Sequence, residues 1–250
     1  MLMNERREQI LTILAQNKFV TVGRLCALLY ASPATIRRDL AEMDEQGMLQ
    51  RLRGGAELLE GSNSDMPLLL RFQKEKEKKE KIAALALREL EESSTVFMDS
   101  SSTAFYLARQ LREYAGKSVI TNGVATANFL NEQTAAQVYC TGGRIFHRSG
   151  FVGSHAADAI KDYCADTLFF SCCGFSLKNG PTEAEEENAQ IKRTMLRYAK
   201  RTVLLCDCTK FSHDYFCRVC ALDDIDLVIT DKKPDEPIAE ALGDRLICGE

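Results

Sequence analysis

Apolar residues recur at helical spacing through the first part of the chain and in short strand-like runs after position 95. Ile10, Leu11, Ile13 and Leu14 share one face of a helix predicted over 4–17, with Arg6, Arg7, Glu8 and Gln9 ahead of them and Asn17-Lys18 interrupting it. Thr21 is placed to cap a second helix in which Val22, Leu25, Cys26, Leu28 and Leu29 repeat. Ser32 as N-cap and Pro33 at the first helical position start a third. Ile36, Leu40 and Met43 form its apolar face, and Gly47 is expected to end it. Three helices in so short a span, the last two joined by a tight turn, predict a helix-turn-helix.

Leu49, Leu52 and the Gly54-Gly55 pair then read as a short hairpin, the wing of a winged helix. Residues 61–66 read as a linker. The run 71–81 is dense in charge, as a solvated helix face would be, and leads into an amphipathic helix. From Thr95 the pattern alternates. Strands are predicted at 95–99, 118–121, 136–140, 166–171, 202–207 and 227–230, with helices at 103–114, 123–132, 154–163 and 185–200. The fold class expected is therefore α/β: an N-terminal winged helix-turn-helix domain (1–60), a linker and connecting helix (61–92), and a mostly parallel, Rossmann-like α/β domain (93–250).

Composition narrows this little. At 45% hydrophobic, 27% charged and 5 prolines, the chain has ample material for cores, which excludes disordered and collagen-like classes. No apolar run reaches the ~18 residues a membrane span needs, and the first ten residues turn charged at once. A soluble, cytoplasmic protein is expected. The net charge of −4 does not advertise a polyanion partner, and residues 1–60 carry as many acidic as basic side chains. Any nucleic-acid site must be a local patch, with weak non-specific binding and two copies per operator.

Such a patch is visible. Ser32, Thr35, Arg37 and Arg38 lie near the start of the third helix, where a recognition helix meets base edges and phosphates. Arg51 and Arg53 in the wing can reach an adjacent phosphate or the minor groove, with Gly54 and Gly55 at its tip. The segments ERREQILTIL, SPATIRRDLAEMDEQGML and QRLRGGAEL resemble the N-terminal winged helix of the DeoR family of bacterial transcriptional repressors. Where that family usually has His before the Gly pair, this chain has Arg53, which keeps a phosphate-capable side chain.

The resemblance extends through the second domain. Asp99-Ser100-Ser101-Ser102-Thr103 stands between a strand and a helix, where hydroxyls and backbone N–H groups make an anion site. It is similar to the Asp-Ser-Gly-Ser-Thr loop of DeoR-type sensor domains and to the phosphate loop of ribose-5-phosphate isomerase. Ser101 replaces the usual Gly, so a reshaped loop is expected if that position needs positive φ. Thr121-Asn122, Gly142-Gly143-Arg144 and Asp207 to Lys210 also follow strands, and open α/β sheets bind ligands beyond the carboxyl ends of their strands. The resemblance implies a sugar-phosphate cleft. In it Lys210 is the cation, Asp99 and Asp207 accept from hydroxyls, Arg144 meets phosphate, and Glu187 matches a carboxylate of the isomerase.

Two function classes follow. One is an operator-binding repressor of a carbohydrate operon, controlled by a phosphorylated sugar, homo-oligomeric, and needing no cofactor. The other is a sugar-phosphate isomerase with a helical appendage, using Glu187 as base and Lys210 as oxyanion partner. The complete DNA-binding module and the altered serine loop favour the first. A zinc site can be drawn from Cys206, Cys208, Cys217, Cys220 and His213. We expect buried thiols there instead, with Cys206 and Cys208 on one side of a strand, and no metal.

Overall fold

The computed structural model describes residues 3–17, 19–45, 48–58, 68–113, 116–146 and 149–249. Gly47, Lys18 and the expected linker 61–66 lie outside them. The chain forms two compact units, residues 1–74 and 75–250.

The first unit contains α1 (Met3–Gln16), β1 (Phe19–Thr21), α2 (Val22–Leu29), α3 (Pro33–Glu45), β2 (Gln50–Leu52), β3 (Gly55–Glu57) and α4 (Leu68–Gln73). Ile10, Leu11, Leu14, Leu25, Leu29, Ile36, Leu40 and Met43 converge on one core, closed by Val20, Leu49 and Ala56. The helical spacing places these side chains correctly, with two exceptions. Leu28 and Leu52 are exposed. β1 has no signal of its own: it is three residues long and forms only because β3 offers it an antiparallel edge, in the order β1-β3-β2. That pairing accounts for the wing glycines. Gly54 turns with φ 89°, and a Cβ on Gly55 would lie 2.3 Å from the Val20 carbonyl oxygen.

The second unit begins with α5 (Lys76–Leu85) and α6 (Leu87–Glu91), followed by β4 (Thr95–Met98), α7 (Ser102–Ala108), β5 (Ser118–Thr121), α8 (Val124–Gln133), β6 (Gln137–Cys140), β7 (Arg144–Phe146), β8 (Gly150–Val152), α9 (Ser154–Lys161) and β9 (Ala165–Phe170). The remainder is β10 (Gly174–Ser176), β11 (Gly180–Glu183), α10 (Glu186–Arg197), β12 (Ala199–Leu205), β13 (Cys217–Arg218), β14 (Leu227–Thr230), α11 (Glu236–Leu242) and β15 (Leu246–Cys248). Seven strands form one sheet in the order β15-β14-β12-β9-β4-β5-β6, and every pairing in it is parallel. In this unit the antiparallel ladders among the described residues are the β7-β8 hairpin and the β10-β11-β13 sheet, neither of which the hydrophobic pattern predicts.

Successive strand residues feed opposite faces. Val96, Met98, Phe169, Val203 and Leu205 pack with Ile82, Ala83 and Leu90 of α5 and α6, Leu107 of α7 and Leu130 of α8. Phe97, Leu168, Phe170 and Leu204 pack with Ile160 of α9, Met195 of α10 and Ile238 of α11. Both faces are covered, which is why the strands read as continuous apolar runs rather than alternations. The chain builds β4, β5 and β6 outward in one direction, then returns to the other side of β4 to lay down β9 and β12. The strand order therefore reverses between β4 and β9, the point at which open α/β sheets place a ligand crevice outside the strands' carboxyl ends.

Candidate functional site

In the first unit, α2 and α3 are each capped at their start. The Arg24 N–H donates to Thr21 Oγ1 at 3.2 Å, and the Thr35 N–H donates to Ser32 Oγ at 3.2 Å, with the two hydroxyls of Ser32 and Thr35 2.9 Å apart. Ser32 and Thr35 thus serve the start of α3 as well as facing solvent. Arg37 and Arg38 are exposed, off the Ile36/Leu40/Met43 face. Arg37 and Arg51 line a concave pocket of about 320 Å³ between α3 and the wing, floored by Val22, Leu40 and Leu52. Arg53 is exposed at the wing turn. The neighbouring Asp39 points inward: it is fully buried and accepts from Arg6 Nε at 2.5 Å and Arg6 Nη2 at 3.2 Å. The hydrogen bond to Asp39 raises the Arg6 pKa. Sequence reading missed this brace, which ties α1 to the recognition helix.

In the second unit, the crevice between β4 and β9 holds a buried polar network centred on Ser171, the first residue after β9. Its N–H donates to Asp99 Oδ2 at 3.2 Å, its carbonyl accepts from Lys192 Nζ at 2.6 Å, and its Oγ accepts from Lys210 Nζ at 2.9 Å. Lys192 also lies 3.0 Å from Asp99 Oδ2 and bonds Glu183. Burial alone would lower the Lys192 pKa, but Glu183 and Asp99 outweigh it and raise it above the ordinary lysine value. Burial likewise works to lower the Lys210 pKa, but Asp207, at 3.2 Å, raises it. For Asp207, burial raises the pKa, while Lys210 and Thr209 bring it down to about 2.

Asp99 also fixes the serine loop. Its Oδ1 accepts from the Ser101 N–H at 3.1 Å and from the Ser101 hydroxyl. Ser101 in turn caps α7, accepting from the Ala104 N–H at 3.1 Å. Its φ is −71°, so this position needs no glycine, and the expected reshaping is a simple serine cap. Ser100 is packed against Gly123 and Gly150; a Cβ on Gly150 would stand 2.5 Å from Ser100 Cβ. Thr121 Oγ1 accepts from the Gly123 N–H at 2.9 Å, and Asn122 Nδ2 donates to the Phe151 carbonyl at 3.0 Å. The Thr141 N–H donates to the Thr121 carbonyl at 3.1 Å, leading into Gly142 and Gly143, both at positive φ. Two buried atoms here lack a hydrogen-bond partner among the described residues: Thr103 Oγ1 and Asn122 Oδ1.

Arg144 and Glu187 pair with each other on the exposed rim, Nη2 to Oε1 at 2.6 Å. Sequence reading missed Ser171, Glu183 and Lys192. The strand-end rule applied to 166–171 would have found Ser171; Glu183 and Lys192 arrive through β11 and α10, with no local signal. The cysteines are dispersed by comparison. Cys172 Sγ and Cys206 Sγ are 4.0 Å apart and buried, whereas Cys208 lies in a 3-10 turn beyond the end of β12, so strand alternation does not relate it to Cys206. Among the described residues no group of His, Cys, Asp and Glu is placed to hold a metal ion.

Both units are matched by models of known protein families. The DeoR-like helix-turn-helix domain matches residues 6–61, and the DeoR C terminal sensor domain matches residues 74–232. The chain belongs to the DeoR family. It is 32% identical to the HTH-type transcriptional regulator GolR of Listeria innocua over 96% of this chain and 95% of that protein. It is 32% identical to the HTH-type transcriptional repressor GlcR of Bacillus subtilis, covering 97% and 93%. It is 30% identical to the L-fucose operon activator of Escherichia coli, covering 91% and 95%. Among solved structures, a ribose-5-phosphate isomerase in complex with phospho-erythronic acid aligns with 54% of this chain and 54% of its own, at 12% identity and a TM-score of 0.41. The DeoR family assignment makes this chain a DNA-binding transcriptional regulator, and the relatives are transcriptional regulators by name, one of them of an L-fucose operon. No helix among the described residues is long and apolar enough to cross a membrane.

Proposed function

We propose that the chain is a repressor of a carbohydrate-utilisation operon whose grip on its operator is released by a phosphorylated sugar held in the β4/β9 crevice. The observation that carries this reading is the pair of unpartnered buried atoms, Thr103 Oγ1 and Asn122 Oδ1, beside the Asp99-anchored loop. Buried polar atoms are nearly always hydrogen-bonded, so orphans on the segments that follow β4 and β5 ask for a polar ligand. A sugar phosphate supplies hydroxyls for Asn122 and Asp99, and phosphate oxygens for Ser102, Thr103 and the loop N–H groups. Lys210 is already engaged by Asp207 and Ser171. Its role is to lend positive potential and to exchange partners when phosphate enters, with Arg144 released from Glu187 to close the rim. The winged helix of each copy reads a half-site, and the protein acts as a homo-oligomer in the cytoplasm.

The sugar changes operator affinity only through a difference in its affinity for two arrangements of the protein. Lys210→Ala removes a charge-assisted contact, about 1.5–3 kcal/mol of effector affinity, and leaves operator binding intact. Operator release is followed while wild type and variant are titrated with a panel of sugar phosphates. Equal responses in both would take Lys210 out of the site. Arg37→Ala or Arg38→Ala weakens operator binding by about 1–3 kcal/mol each without unfolding the protein. Coupled assays on aldose phosphates test the enzymatic alternative, which needs turnover abolished by Glu187→Gln.

A further inference from the structure

Tyr30 ends α2 in the left-handed region, with φ 50° and ψ 41°, and its side chain is 96% exposed. The two facts together are unusual. In that conformation Cβ crowds the following carbonyl oxygen, so glycine is the residue that adopts it without cost. A strained non-glycine residue is ordinarily held by packing, yet this ring is almost wholly in solvent. What the strain achieves is projection: the turn sends a phenol outward two residues before Ser32, the cap of the recognition helix. Residues 21–38 contain Arg24, Arg37 and Arg38 and no Asp or Glu, so this is the positive stretch of a domain that is neutral as a whole.

We propose that Tyr30 is a DNA-backbone contact, its hydroxyl donating to a phosphate oxygen on the strand that borders the groove entered by α3. The inference rests on the operator-binding reading above. Chain segments leading into a recognition helix flank the groove rather than enter it, and contacts there position the protein without reading sequence. A tyrosine hydroxyl suits this role: it bonds a phosphate oxygen while removing no counterion of its own.

The test uses the full-length protein and two duplexes, one enriched by the protein from a random pool and one scrambled from it. Tyr30→Phe keeps the ring and the strain and removes the hydroxyl; Tyr30→Gly removes all three. Tyr30→Phe is expected to melt as wild type does and to bind both duplexes roughly tenfold more weakly, the loss of one hydrogen bond to a charged oxygen. The dependence of affinity on salt should keep its slope, whereas Arg38→Ala should lower the slope by about one. Tyr30→Gly is expected to melt a few degrees higher, having lost the strain, and to bind at least as weakly as Tyr30→Phe. Wild-type affinity in both variants overturns the proposal while leaving the operator reading standing. A loss confined to the enriched duplex also overturns it, because that would be base reading. Failure of the wild-type protein to enrich or bind any duplex brings down both readings together.

Discussion

Replacing Lys192 by Met isolates the buried charge network. All three ammonium hydrogens of Lys192 have partners: the Ser171 carbonyl, Asp99 and Glu183. Methionine fills most of the volume but strands two buried carboxylates. They are not equally exposed to the loss. Asp99 keeps hydrogen bonds from the Ser101 N–H and hydroxyl and from the Ser171 N–H. Among the described residues Glu183 keeps only the weak donation from Cys173 Sγ at 3.2 Å. Breaking a buried pair by removing one partner costs about 3–5 kcal/mol, so Lys192→Met should lose about that much near pH 7. The loss therefore falls mainly on Glu183, whose carboxylate is left buried without a cation. Urea unfolding followed by far-UV circular dichroism measures this, since the chain has no Trp for fluorescence. Adding Glu183→Gln to Lys192→Met should recover a large part of the loss. A Lys192→Met protein within about 1 kcal/mol of wild type at pH 7 would refute the argument. Because Asp99 also anchors the serine loop, the same variant should show a weaker response to sugar phosphate.

Ser32→Ala removes a helix cap, and should cost about 1 kcal/mol of stability in chemical denaturation, in addition to any loss of DNA affinity. Asp207, held at about 2 in the fold, contributes roughly 2 kcal/mol that is present above the unfolded carboxylate pKa and lost as pH falls through about 2. The stability gap between wild type and Asp207→Asn should therefore close across acid pH, and a constant gap would rule this out. Burial pushes the Cys173 and Cys220 thiols up to about 12. Alkylation of the native protein at about pH 8, mapped by mass spectrometry, should mark the exposed Cys140 and Cys164 first and spare those two.

What the sequence determined by itself was whatever depends on local spacing. The Ile36/Leu40/Met43 stripe with Ser32-Pro33 ahead of it sets the recognition helix, because capping and 3.6-residue periodicity act within one element. The apolar runs from Val96 to Ile229 set the parallel strands, since burial on both faces demands unbroken apolar residues. Even part of the crevice was legible, for strand ends are local and Asp99, Thr121 and Asp207 each follow one. The tertiary structure alone decided where the strand order reverses, and so which ends share a crevice. It also decided that β1, only three residues long, would find an edge on β3. Above all it supplied the counterions. Lys192 lies far in sequence from Asp99 and reaches it from the long helix, while Glu183 meets Lys192 from a small antiparallel sheet. The pairing energy of a buried charge depends on distances set by packing, and no spacing along the chain records them.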